Sequence, residues 1–363
     1  MKLSIISFTE NGILLSEKIA KILCEAECAL YTKCSDCCKE GKTVRFVTGS
    51  IGEWAKEQFE ERNALLFVGA CGIAVRAIAP HISDKLHDSP VLVMDENGQY
   101  VIPLLSGHVG GANELAVSLA KKIGAEPVIT TATDINNKFA IDLFAKKNGL
   151  TIVNKDGIAK VSSKVLTGKS ITISIEQGHL EKDVKLPNGI ELVKYPPIQK
   201  VDVVITSENG EFKTAILLKP KEYVIGVGCR RWKEAEKIED FVMSHLQKAG
   251  ISLIQVFGMA SIDVKKDEPG LLGFSRKEKI SFVTYKAEEL MCVEGEFHKS
   301  DFVKEQVGVD NVCERAALKM CGPEGRLVYG KHAEDGMTIA IARREWRVNF
   351  DDKQDICSWY GTG

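Results

Sequence analysis

The chain has 363 residues, 44% hydrophobic and 27% charged, with a formal net charge of −2. That length holds two or three domains of ordinary size, and that balance belongs to a soluble globular protein. No basic stripe with interleaved aromatics marks a nucleic-acid footprint, no apolar stretch reaches membrane-spanning length, and the start Met1-Lys2-Leu3-Ser4-Ile5-Ile6-Ser7-Phe8 is too short an apolar run for a signal peptide, so the expected location is the cytoplasm.

Leu3–Phe8 reads as the first strand and Gly12–Leu23 as the helix after it. Five of the eleven cysteines follow closely, at Cys24, Cys28, Cys34, Cys37 and Cys38. Cys34 to Cys37 has CxxC spacing, but no second pair completes a four-ligand set. The expectation is therefore a group of tolerated, reduced thiols. Strands are then predicted at Val44–Val47, Leu65–Val68, Val91–Met94 and Val101–Leu105, and helices at Ile51–Arg62, Gly72–Ala79 and from Ala112 to Ile123. Asp95-Glu96-Asn97-Gly98 is a hairpin turn. Val128–Thr131 reads as a strand and Asn136–Lys147 as a helix. Strands alternating with helices predict a mainly parallel sheet covered on both faces.

Residues 151–220 are strand-like and lysine-rich, without long amphipathic helices, and carry turn signals at Asp156-Gly157, Pro187-Asn188-Gly189 and Glu208-Asn209-Gly210. Tyr195-Pro196-Pro197 interrupts any regular element there. A fresh start at Tyr223 brings the strand Val224–Val227, the turn Gly228-Cys229-Arg230-Arg231 and the helix Lys233–Ala249. The expected fold is multi-domain α/β, with mainly parallel sheets flanked by helices and a separate C-terminal α/β domain. Its expected boundaries are 1–125, 126–220 and 221–350, with a tail over 351–363.

The richest chemistry lies in Tyr100–Leu115, YVIPLLSGHVGGANEL. A strand, a glycine-rich turn and a helix present backbone N–H groups and a positive helix end to an anion. His108 in the turn exchanges a proton near neutral pH. The same pattern also serves as a plain tight turn. It is neither a Walker A loop nor GxGxxG. A second such turn, Gly226-x-Gly228 with Arg230 and Arg231, is a weaker dinucleotide signal, because no acidic residue ends a second strand of the required unit.

Longer motifs carry a resemblance. Phe67-Val68-Gly69-Ala70-Cys71-Gly72-Ile73-Ala74-Val75-Arg76-Ala77-Ile78-Ala79-Pro80-His81 is similar to the G-x-G-I-x-V-R-x-I-A-P signature of CbiG, the cobalt-precorrin-5A hydrolase family of anaerobic cobalamin synthesis. The similarity continues through Asp84-Lys85, Asp88-Ser89-Pro90, the LSGHVGGANELA run, Thr130–Asp134 and Phe139–Asp142. In the C-terminal third it includes Ile225–Arg231, Ala260–Glu268 and Ala287–Leu290.

The resemblance implies that a δ-lactone of cobalt-precorrin-5A is opened with water, that acetaldehyde leaves, and that cobalt-precorrin-5B forms. It implies no organic cofactor and no protein-bound metal, since cobalt arrives with the substrate. The implied partners are that substrate and other enzymes of the pathway; oligomeric state stays open. A macrocycle bearing many carboxylates needs cations and free N–H groups, which makes Arg76, His81, Lys85, Asn113, Arg230 and Arg231 binding candidates. Lactone hydrolysis needs a base, an oxyanion stabiliser and a proton donor. His108 is the candidate base or acid, and the amides of Gly110 and Gly111 are the candidate oxyanion donors. The available carboxylates are Asp84, Asp88, Asp95 and Glu114. A non-catalytic tetrapyrrole carrier of the same pathway is the alternative; a nucleotide-dependent oxidoreductase would rest on fold analogy alone.

Overall fold

The computed structural model describes residues 2–23, 26–35, 43–83, 88–108, 110–131, 138–298 and 308–350. These fall into two compact units, one up to Leu143 and one from Phe144 onward. As expected, the architecture is α/β, with largely parallel sheets flanked by helices.

The first unit holds a seven-stranded sheet in the order β3-β2-β1-β4-β5-β6-β7. Its strands are β1 Leu3–Ser7, β2 Cys28–Thr32, β3 Val44–Phe46, β4 Ala64–Val68, β5 Val91–Met94, β6 Tyr100–Leu105 and β7 Glu126–Pro127. Strands β1 to β5 run parallel, and every residue of β1, β4 and β5 is buried. That continuous apolarity marks strands covered on both faces. On one face Ile5, Leu66, Leu92 and Met94 pack with Ile13 and Ile19 of α1 (Glu10–Ile22) and Leu119 of α4 (Ala112–Ile123). On the other, Ile6, Leu65, Phe67 and Val93 meet Trp54 of α2 (Ile51–Glu60) and Ala74, Ala77 and Ile78 of α3 (Cys71–Ile78). Ser50 and Glu53 form a capping box that starts α2, satisfying two orphan N–H groups at once.

Strand β6 runs antiparallel to β5, pairing Met94 with Val101 and Val91 with Leu105. Asp95 pins the hairpin: its carboxylate accepts hydrogen bonds from the N–H groups of Asn97, Gln99 and Tyr100 at 2.9, 2.9 and 2.7 Å. The register shifts between Val91 and Leu92, a bulge that re-aims the end of β6.

Strand β2 was not anticipated, its alternation hidden among the cysteines. The strand expected at Val128–Thr131 is instead the two-residue β7, paired with Tyr100 and Val101. The Val128 N–H still donates to the Val101 carbonyl at 2.9 Å. The next ladder bond would need an N–H from Pro103, which has none. The helix expected from Asn136 begins at Ile141 (α5, Ile141–Lys147); Asn136 and Asn137 lie outside the described residues. Cys34 is disulfide-bonded, which corrects the expectation of reduced thiols at that position; Cys24, Cys37 and Cys38 lie outside the described residues.

The second unit contains two further sheets. One has the order β10-β9-β11-β12-β8, built from β8 Leu150–Ile152, β9 Ile171–Ile175, β10 Ile190–Val193, β11 Val201–Ile205 and β12 Thr214–Pro220. All are parallel except β8. It also carries an amphipathic helix that the sequence reading missed, α6 Asp156–Leu166. Ile158, Val161 and Val165 form its buried stripe, and Gly157, read as a turn, lies against the Ala215 carbonyl where a Cβ would collide.

The last sheet has the order β15-β14-β13-β17-β16. Its strands are β13 Tyr223–Cys229, β14 Val256–Ile262, β15 Ser281–Tyr285, β16 Arg326–Glu334 and β17 Met337–Arg343. Helices α7 (Ala235–Lys248) and α8 (Pro269–Glu278) contribute Ile238, Phe241, Leu271 and Phe274 to one core. Helices α9 (Ala287–Met291) and α10 (Val312–Cys321) contribute Leu290, Ala316 and Ala317 to another. Among the described residues no helix is long and apolar enough to cross a membrane.

Candidate active site

Because β6 opposes β5, the turn after it emerges beside Val91, at the amino edge of the parallel strands. Ligand crevices of doubly wound sheets normally lie at the carboxyl edge. Here the SGH turn meets the loop after α3 instead: the Ser106 hydroxyl donates to the Asp88 carbonyl at 2.9 Å.

The turn is wound tightly. Ser106 has φ +57° and Gly111 φ +87°, both left-handed, a conformation that is costly for serine and natural for glycine. A Cβ at Gly107 would strike the Asn113 side chain at 2.6 Å, and one at Gly110 would strike Ser106. The amides of Ala112 and Asn113 donate to the carbonyls of Ser106 and Gly107 at 3.1 and 3.0 Å. The Gly111 amide donates to the His108 carbonyl at 3.0 Å, which corrects its assignment as an oxyanion donor, since that N–H points into the turn.

His108 is held mostly out of solvent, its side chain 15% exposed, with Nδ1 3.8 Å from Oδ2 of Asp142, itself 11% exposed. Asp142 was missed as a site residue, although it ends the family-like segment Phe139–Asp142. Its carboxylate enters from the first turn of α5, far along the chain, so no local spacing paired it with His108. A carboxylate at that distance can steady positive charge on the ring during a proton transfer. Asn113, also buried, reaches from α4 to donate to the Thr131 hydroxyl at 3.0 Å.

The other candidates separate. Asp88 is buried, and its carboxylate accepts the Ser83 N–H at 3.0 and 3.2 Å and the Ser83 hydroxyl at 2.9 Å. It holds Ser83 in place. Asp95 pins the hairpin described above, which removes it from the acid–base set. Glu114 lies on the exposed side of the first turn of α4, where a negative charge complements the helix dipole. One ring nitrogen of His81 is bound to the Gly52 carbonyl at 3.0 Å. The exposed Arg76 guanidinium lies back along α3 on the Gly72 carbonyl at 3.0 Å. Asp84 and Lys85 lie outside the described residues.

The glycine turn after β13 is also reinterpreted. A Cβ at Gly226 would collide with the Cys313 carbonyl of α10, so this glycine serves helix–strand packing. The anion received by the turn is internal: the Trp232 N–H donates to the buried Glu268 carboxylate at 2.5 Å, and Lys265 Nζ lies 3.2 Å from it. Arg230 and Arg231 remain exposed there, ahead of a helix that begins at Ala235 rather than Lys233.

Two family models match the chain, Cobalamin synthesis G N-terminal over residues 53–134 and Cobalamin synthesis G C-terminus over residues 223–342. The chain is similar to the cobalt-precorrin-5A hydrolase of Priestia megaterium, 30% identical over 93% of this chain and 94% of that protein. It is similarly related to the cobalt-precorrin-5A hydrolase of Salmonella typhimurium, 31% identical over 93% of this chain and 97% of that protein. The solved structure of CobE, a protein from the cobalamin (vitamin B12) biosynthetic pathway, is 29% identical over 35% of this chain and 92% of its own, with a TM-score of 0.33.

Proposed function

Because the chain belongs to the cobalt-precorrin-5A hydrolase family of cobalamin synthesis, we propose that it opens the δ-lactone of cobalt-precorrin-5A with water and releases acetaldehyde, leaving cobalt-precorrin-5B. The observation that carries this reading is His108, sheltered and faced by Asp142 in a strained turn at the end of β6.

Neutral His108 takes a proton from water as the oxygen attacks the lactone carbonyl. The acyl C–O bond then breaks, and the imidazolium returns its proton to the departing alkoxide. One water is consumed, giving a carboxylic acid and a hydroxyl. Asp142 steadies the imidazolium between those steps. Removing the proton from the new hydroxyl lets the adjacent carbon–carbon bond break. The oxygen keeps the carbonyl of acetaldehyde, and the macrocycle accepts the bond's electron pair and a proton. Arg76 is the cation assigned to a peripheral carboxylate. No organic cofactor takes part, cobalt enters as part of the substrate, and the reaction belongs to the cytoplasm.

Incubating the protein with cobalt-precorrin-5A should add one water to the substrate, remove its two-carbon fragment, and yield acetaldehyde in a trapping assay. An unchanged macrocycle mass, with the macrocycle nevertheless bound, would favour the carrier reading.

A further inference from the structure

The second unit contains a histidine–carboxylate pair of a different build. Glu314, in the first turn of α10, is 1% exposed. Its Oε1 accepts from His298 Nδ1 at 2.8 Å and from the Lys331 N–H at 2.8 Å. Its Oε2 accepts from the His298 N–H at 3.0 Å and from Asn311 Nδ2 at 2.5 Å. Asn311, fully buried, also donates to the His298 carbonyl at 3.0 Å and caps the helix by accepting the Glu314 N–H at 2.9 Å. Burial alone would push the Glu314 carboxyl up; the hydrogen bonds from His298 and Lys331 outweigh it and hold the group below the ordinary carboxylate range. The two backbone N–H groups and the Asn311 amide nitrogen can only donate, so both Glu314 oxygens serve as acceptors in this nest.

That fixes the ring. Nδ1 must carry hydrogen toward Glu314, which leaves the Nε2 lone pair on the far side. The side chain is nevertheless 74% exposed. A surface histidine needs no buried anion and has no need to be clamped through its ring, its N–H and its carbonyl together. The arrangement is the carboxylate–histidine pairing that orients imidazole ligands and raises their basicity toward a metal. An open surface position also suits a flat macrocycle, whose metal is reached only along the axis perpendicular to the ring.

We propose that His298 Nε2 is an axial ligand to the cobalt carried by the macrocycle, with Glu314 as its positioning partner. This rests on the reading of a cobalt-bearing substrate, and its chemistry is a dative N–Co bond that displaces an axial water.

The test uses the full chain and cob(II)yrinic acid, a cobalt corrin with carboxylate arms and no nucleotide base, under anaerobic conditions. Electron paramagnetic resonance of the wild-type complex should show each cobalt line split into a nitrogen triplet, which becomes a doublet when the histidines carry ¹⁵N. In His298→Ala the splitting should vanish and affinity should fall roughly 10-fold or more; Glu314→Gln should cost about 10-fold in affinity. Absence of binding, a wild-type spectrum without splitting, or splitting that survives His298→Ala would overturn the assignment. Acetaldehyde release from cobalt-precorrin-5A is measured in parallel. Release without splitting removes the ligand role and leaves the hydrolase reading intact; splitting without release leaves the ligand role standing on a carrier.

Discussion

The pairs His108–Asp142 and His298–Glu314 invert one another. At the end of β6 both partners are sheltered, and the ring stands 3.8 Å from the Asp142 carboxylate, beyond a hydrogen bond. In the second unit the carboxylate is sealed in, while the histidine projects outward on a 2.8 Å bond. Proton transfer is served by the first arrangement, because a sheltered ring that must gain and lose hydrogen is steadied by a nearby carboxylate while it carries charge. Holding a metal is served by the second, because a locked tautomer keeps one lone pair permanently aimed.

The contrast breaks most readily at His108. His108→Ala should lower acetaldehyde release by roughly 10² to 10⁴ while leaving the cobalt spectrum of bound cob(II)yrinic acid unchanged. Near-wild-type turnover would remove the imidazole from the mechanism. Asp142→Asn should lower kcat, by less than the loss of His108 itself, because the carboxylate acts through the ring. An unchanged kcat would show that Asp142 does not act through His108.

Glu314→Gln tests the other pair through stability. Its carboxyl is held below the ordinary value of 4.5, so the stabilisation is fully present above that value and is lost as pH falls through the lower folded one. The variant should therefore unfold more easily at neutral pH by about 1–3 kcal/mol, from the hydrogen bonds it weakens, and the gap should close in acid. A gap independent of pH would mean that the charge is not what matters. A smaller effect, about threefold to tenfold in KM, is expected for Arg76→Ala, with Arg76→Lys recovering only part of it because one ammonium cannot grip a carboxylate bidentately. Equal KM values would make Arg76 a surface charge. The smallest effect is expected at Cys34: Cys34→Ser, far from either pair in sequence, should leave acetaldehyde release unchanged, and a large loss would tie that disulfide to activity.

Legibility followed locality. The buried strands of the first sheet and helices α1 to α4 could be read from apolar runs and caps, because their signals lie within a few residues of one another. Helix α6 was missed because Asp156-Gly157 imitates a turn, although Ile158, Val161 and Val165 hold helical spacing. His108 stood out through its glycines, but its partner Asp142 lies in another element and becomes its neighbour only through folding. His298 carried no signal at all: the Glu314 that orients it belongs to a different segment, and burial of a glutamate is invisible in composition. Arg230 and Arg231 looked like an anion site because Glu268, the anion already serving that turn, is remote in sequence.

Asp95 gives the hairpin before β6 the character of a gauge block. Its carboxylate fixes where the return strand starts, and the return strand fixes where His108 ends. Lengthening that turn by one residue would advance the strand by about 3.3 Å and swap its inner and outer faces. Such a step is nearly as large as the separation between His108 and Asp142. The chemistry at one edge of the sheet is thus toleranced by a turn at the opposite edge, and insertions there should be as damaging to turnover as changes beside the imidazole.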